Sequence, residues 1–175
     1  MLTKANRKWL TKFWDEYRHT EKDRQKFTEI LVSLGWREIE SISFKQVLVR
    51  GDLLVKFDAF SGENNKRFQN LRQEHTVGEW NTFHYAKSNV RKFLAPIVFY
   101  HKGLIIQRKI PECKKENFLF IRCPDALKLA SVVGTSHWYH HAHMPNGSIK
   151  FFDYDKDNLF ESDRERLKKC LSKNA

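Results

Sequence analysis

A chain of 175 residues that is 41% hydrophobic and 30% charged fits one domain, or two small lobes sharing a core, and is too apolar for global disorder. Its 32 Lys and Arg against 21 Asp and Glu leave a net charge of +11, which suits a phosphate-rich partner (nucleic acid, nucleotide or anionic lipid) and does not choose among them. No apolar run approaches the roughly 20 residues that cross a bilayer, and residues 1–9 lack the apolar stretch and small-residue cleavage site of a secretory leader, so neither feature is expected. The three cysteines, Cys113, Cys123 and Cys170, form no C-x-x-C pair. A reduced, cytoplasmic setting without a Cys-type zinc site is the simplest expectation.

In chain order, Trp9, Leu10, Phe13, Trp14 and Tyr17 recur at helical spacing and predict a helix over 4–19. Thr20 followed by Asp23 resembles a capping box, Phe27, Ile30, Leu31 and Leu34 form the next apolar stripe, and Gly35 is a natural stop. The period then changes. A strand over 37–43 and a hairpin of 46–49 with 53–57 around Arg50-Gly51-Asp52 make three antiparallel strands. A polar loop over 60–65 leads into a helix over roughly 66–87 carrying Phe68, Leu71, Trp80 and Phe83. A second hairpin joins 97–100 to 104–107 through His101-Lys102-Gly103. After a short apolar helix over 126–133, Pro145-Asn146-Gly147 between 139–144 and 148–153 is the strongest short hairpin signal in the chain. A charged helix over 161–171 closes it. The expected class is α+β.

Several residues fall where a protein kinase-like fold needs them. Leu53-Leu54-Val55-Lys56-Phe57 looks like the third strand with its phosphate-pairing lysine, and Glu79-Trp80-Asn81-Thr82-Phe83 resembles the helix whose glutamate holds that lysine. Leu94-Ala95-Pro96-Ile97 and Gly103-Leu104-Ile105-Ile106-Gln107-Arg108 are similar to the fourth and fifth strands leading to the hinge. Ile149-Lys150-Phe151-Phe152-Asp153-Tyr154-Asp155 looks like the strand and Asp-Phe-Gly-type motif. The resemblance spans about residues 39–155 and is to small kinase-like proteins of bacteria and phages. It implies a helical extension over 1–36, a kinase-like small lobe over 37–110 and an abbreviated second lobe over 111–175. It also implies ATP and magnesium as ligands, with Lys56 at the phosphates, Glu79 holding Lys56 in the cofactor site, and Asp153 on the metal.

The transfer machinery departs from the family. Its catalytic loop reads Asp-x-His-x-x-Asn, whereas this chain has Thr135-Ser136-His137-Trp138-Tyr139-His140. His137 matches, but Thr135 replaces the base aspartate and His140 the second magnesium ligand. A hydroxyl does not take a substrate proton near neutral pH as a carboxylate does, and magnesium prefers oxygen to imidazole. Residues 41–45 contain no glycine for close approach to phosphates, and Asp155 stands in place of the motif's glycine. These departures favour an inactive pseudokinase, a regulatory or binding module with weak nucleotide binding at most.

Two alternatives stand beside it: a basic nucleic-acid-binding protein and a divergent active small kinase. No acid occurs between Glu79 and Glu112, while Lys87, Arg91, Lys92, Lys102, Arg108 and Lys109 interleave there with Phe93, Phe99 and Tyr100. Lys56 also reads as a solvent-facing lysine, Asp153 as a turn former, and Glu74 competes with Glu79 for the pairing role. His137, His140, His141 and His143 are a second candidate cluster, for hydrogen bonding or for an imidazole-liking metal. The protein partner is not legible in the sequence.

Overall fold

A computed structural model describes residues 3–39, 45–59, 75–110, 141–143 and 149–151. The chain divides into two compact units, Met1–Thr76 with Ile97–Lys109, and Val77–Pro96 with Ile110–Ala175. The predicted catalytic-loop positions Thr135, His137 and His140, and also Asp153 and Glu74, lie outside the described residues, as do the helices expected over 126–133 and 161–171.

The first unit opens with α1 (Lys4–Tyr17) and α2 (Glu21–Ser33). Thr3 caps α1 by accepting from the Asn6 N–H at 3.2 Å. At the head of α2 the Thr20 hydroxyl accepts from the Asp23 N–H at 3.1 Å and donates to the Asp23 carboxylate at 2.7 Å, so the expected capping signal is used. Gly35 stops α2 as expected. It takes φ +85°, the Trp36 N–H donates to the Leu31 carbonyl and the Gly35 N–H to the Val32 carbonyl, the two bonds of a Schellman end.

Five antiparallel strands follow: β1 (Arg37–Glu38), β2 (Lys45–Arg50), β3 (Leu53–Asp58), β4 (Ile97–His101) and β5 (Leu104–Arg108), ordered β1-β2-β3-β5-β4. Both expected hairpins form. Between β2 and β3, Gly51 has φ +58° while Asp52 does not turn positive, the pattern of a type II′ turn. Between β4 and β5, Lys102 (φ +45°) and Gly103 (φ +86°) are both left-handed, as a type I′ turn requires. Of the strand expected over 37–43, Arg37 and Glu38 pair with β2 and the Ile39 N–H reaches the Val47 carbonyl, while residues 40–43 lie outside the described residues.

Alternation along the strands separates two faces. Leu48, Val55, Phe57, Leu104 and Ile106 face the helices and bury with Leu10, Trp14, Phe27, Leu31 and Trp36 in one core. Trp14 is its centre, with Phe27 at 5.2 Å and Phe57 at 5.1 Å between ring centroids. The two helices thus cover the middle of one face of the sheet, over β2, β3 and β5.

Polar contacts fasten the same helices. The Trp14 indole N–H donates to the Lys102 carbonyl at 3.0 Å. Asp15 accepts from the Lys102 ammonium at 2.9 Å and from His101 Nε2 at 3.0 Å; a carboxylate only accepts, so Nε2 carries the proton. The Lys102 ammonium above all, and then His101, hold the Asp15 carboxyl below its ordinary value of 3.8, against a smaller opposing push from burial. A depressed carboxyl stabilises the fold above its unfolded pKa and loses that contribution as pH falls through the folded value. Asp15→Asn should therefore cost about 1 kcal/mol or less at neutral pH, since the side chain is 37% exposed. It should also flatten the loss of stability below about pH 4. Urea midpoints measured down the acid limb check this; parallel curves for the two proteins would contradict it.

The second unit holds the rest of α3 (His75–Tyr85), whose first two residues belong to the first unit, and the short α4 (Ser88–Arg91). Of the helix predicted over roughly 66–87, residues 66–74 lie outside the described residues and the rest is α3, ending at Tyr85; the short α4 that starts at Ser88 is an addition to the expected elements. Arg91 braces the junction between α3 and α4, donating to the carbonyls of His84 and Ala86. β6 (His141–His143) and β7 (Ile149–Phe151) form the expected antiparallel pair. Phe151 is fully buried and exchanges backbone bonds of 2.7 Å with Phe93 and Ala95.

Candidate functional site

The face of the sheet turned away from the helices is built differently. Lys56 lies between Val55 and Phe57, both in the helix-covered core, so its own side chain leaves from the opposite face. Its cross-strand partners are Val47 on β2 and Ile105 on β5. On the same face Lys45 stands opposite Asp58, and Gln107 opposite Leu54. Lys45, Lys56, Asp58 and Gln107 are all buried, as is Ile105. One sheet therefore has an apolar face and a face that buries two ammonium groups, one carboxylate and one amide.

Burying that many polar groups is costly unless each is satisfied. Asp58 shows how one of them is. Its Oδ2 accepts from the Thr76 hydroxyl at 2.7 Å and from the Thr76 N–H at 3.2 Å. Thr76 sits in the first turn of α3, where backbone N–H groups have no partner within the helix and the helix field favours an anion. The Asp58 backbone carbonyl accepts from Arg24, whose Nε donates to the Arg18 carbonyl at 2.9 Å. The end of β3 is thus pinned to α2 through its carbonyl and to Thr76 through its side chain.

Lys56 is 4% exposed, which removes the reading of a solvent-facing lysine. Glu79, on α3, is 0% exposed. A buried ion is rarely tolerated without a partner, and neither residue is without one. The sequence pattern missed Lys45, Asp58, Thr76 and Gln107. Lys45 and Asp58 were legible in principle, because both fall on the Lys56 phase of a period-two alternation, whereas the bond from Thr76 joins residues far apart in the chain and leaves no local signal.

The basic window from Lys87 to Lys109 is largely spent on structure. Lys102 pairs with Asp15, Arg108 with Asp52, Arg91 with two carbonyls, and the Lys92 ammonium lies 4.9 Å from the Phe93 ring centroid. A cleft of about 310 Å³ opens on the helix side, beside α2. Glu21, Glu29 and Glu38 line it, which makes it a poor host for a phosphate. Among the described residues, no group of three His, Cys, Asp or Glu gathers to hold a metal. Among them, too, no helix is long and apolar enough to cross a membrane. No family model, curated protein or solved structure matches the chain.

Proposed function

We propose that the chain is a degenerate kinase-like protein: an inactive regulatory or binding module that holds a nucleotide weakly at most. The observation that carries the reading is the burial of Lys56 on the polar face of the central strand β3. A lysine in the middle of a sheet is expensive to bury, and a site for anionic phosphate gives a reason to keep one there. Two further observations support it. The strand-strand-strand-helix-strand-strand order of the resemblance is the order of β1, β2, β3, α3, β4 and β5 apart from the short α4. Glu79, the residue that the resemblance matches to the lysine's partner, is itself buried.

Weak binding follows from what the chain lacks. Residues 41–45 have no glycine to bring backbone N–H groups close to phosphates. Each charge-assisted contact is worth roughly 1.5–3 kcal/mol, and two of them do not offset the cost of association. The apolar side chains of β5 would have to supply the remainder against the adenine.

A thermal-shift titration with ATP and magnesium tests this. A ligand at a concentration equal to a dissociation constant of about 1 mM stabilises by about 0.4 kcal/mol, which moves the midpoint of a chain this size by about 1 °C. The expected result is a rise of that order at millimolar nucleotide, absent in Lys56→Ala when each protein is read against its own midpoint. Saturation at micromolar ATP, or a rise that Lys56→Ala retains in full, would contradict the proposal.

A further inference from the structure

The charge of α1 runs against its own helix field. Lys4, Arg7, Lys8 and Lys12 crowd its first three turns with no acidic residue before Asp15, and the acids Asp15 and Glu16 sit near its C-terminal end. Cations at a helix N-terminus and anions at its C-terminus both oppose the macrodipole, and lysines four residues apart repel one another. All four cations are exposed. None takes part in an ion pair among the described residues, in contrast to Lys102 and Arg108 of the later basic window. Nothing in the fold of α1 requires this arrangement, and neutral side chains would serve the helix better.

Beside the lysines runs a ladder of rings. Residues four apart share a helix face, so Lys4, Lys8 and Lys12 form one row and Trp9, Phe13 and Tyr17 the next. Trp9 stacks on Phe13 at 4.4 Å and 29°, and Phe13 on Tyr17 at 6.2 Å and 12°. The ladder is half-buried, lying between the core residues Leu10 and Trp14 and the exposed lysines. Side chains lean toward the helix N-terminus, so the next rung beyond Trp9 would come from Ala5, which has only a methyl group. Among the described residues, no second ring covers the indole of Trp9.

We propose that this face of α1 binds single-stranded nucleic acid, with one base extending the stack on Trp9 and the phosphates following Lys4, Lys8 and Lys12. A row of exposed cations beside a half-exposed ring with no second ring upon it is the pairing that such strands use, charge for the backbone and stacking for the base. A duplex keeps its bases stacked inside and offers none to Trp9. An anionic membrane fits less well, because surface helices insert a free apolar face and the apolar seam of α1 is already committed to the core through Leu10 and Trp14.

Fluorescence anisotropy of a labelled oligothymidylate of about 12 nucleotides, titrated with the full chain over a salt series, tests the proposal. Each phosphate neutralised on a single strand contributes about 0.7 to the slope of log affinity against log salt. The Lys4→Ala, Lys8→Ala, Lys12→Ala triple variant, substituted only at exposed positions, should lower that slope by about 2. An Arg91→Ala, Lys92→Ala variant should leave it unchanged. Trp9→Ala should weaken binding about fivefold to a hundredfold at fixed salt, with partial recovery in Trp9→Phe, which restores a ring. Circular dichroism melts confirm that each variant is folded. The proposal is overturned by no binding at low salt, by an unchanged slope in the triple variant, or by loss of the slope in the Arg91, Lys92 variant instead. A duplex bound as tightly as the single strand would overturn the stacking role. Phosphatidylserine vesicles bound through the same lysines, with no competition from the oligonucleotide, would replace the proposed partner with a membrane surface.

Discussion

Trp14→Ala should lower the unfolding free energy of the chain by about 3–5 kcal/mol, the range for truncating a buried aromatic. Trp14 is 2% exposed and touches Phe27 and Phe57, so its removal opens a cavity between helix and sheet and severs the only rings joining α1 to β3 among the described residues. Its indole N–H also satisfies the carbonyl of Lys102, a residue already held at φ +45° in the turn. Trp14→Phe separates the two effects. It keeps most of the ring but leaves the carbonyl without its donor, at a cost of about 1–3 kcal/mol. Globular domains are stable by only about 5–15 kcal/mol, so the alanine variant should lie close to the edge of folding. Urea denaturation measures both, with the midpoint falling and the slope unchanged. A loss under about 1 kcal/mol for Trp14→Ala would mean that the helices are not part of the cooperative core.

On the proposed kinase-like reading, Lys56→Ala and Glu79→Ala should each cost about 3–5 kcal/mol, because removing the partner of a buried charge strands that charge away from water. Lys56 is on β3 and Glu79 on α3, and both are buried. The kinase-like reading makes each the other's partner. It therefore predicts that the double variant costs less than the two single losses added together, with a coupling of about 0.5–3 kcal/mol. Additive losses would assign the two charges to separate partners and remove that support from the reading.

Local chemistry was legible in the sequence wherever a few neighbouring residues decide the backbone. Thr20 and Gly35 bound α2, and Gly51 and Gly103 set the two hairpins, because a side-chain cap or a left-handed turn is written within four residues. The hydrophobic spacing of Trp9, Leu10, Phe13, Trp14 and Tyr17 marked α1, but not which of these residues reach the core. Leu10 and Trp14 do, while Trp9, Phe13 and Tyr17 stay half-buried. That division depends on where the sheet lies, which no local pattern encodes. The end of α3 at Tyr85 lies close to the predicted 87, but the short α4 over Ser88–Arg91 was missed, since four residues are too few to show a helical period.

At the candidate site the sequence pointed to Lys56 and Glu79 through motif likeness, and both are buried. It did not reveal the polar face around Lys56. Lys45, Asp58 and Gln107 look like ordinary strand-end polar residues until strand register sets Lys45 opposite Asp58 and Gln107 opposite Leu54, on the face that carries Lys56. Nor did it show that Arg91, Lys92, Lys102 and Arg108 would be used in local contacts while the cations of α1 stay open to solvent.

The inactive-module reading is tested most directly by phosphotransfer. The purified chain is incubated with labelled ATP, magnesium or manganese, and generic protein substrates, beside a Lys56→Ala, Asp153→Ala double variant. With Thr135 and His140 at the positions that the resemblance matches to the catalytic base and a metal ligand, the account predicts no transfer above that variant, to substrate or to the chain itself. Transfer by the wild-type chain that the double variant abolishes would contradict it and establish a working, divergent kinase.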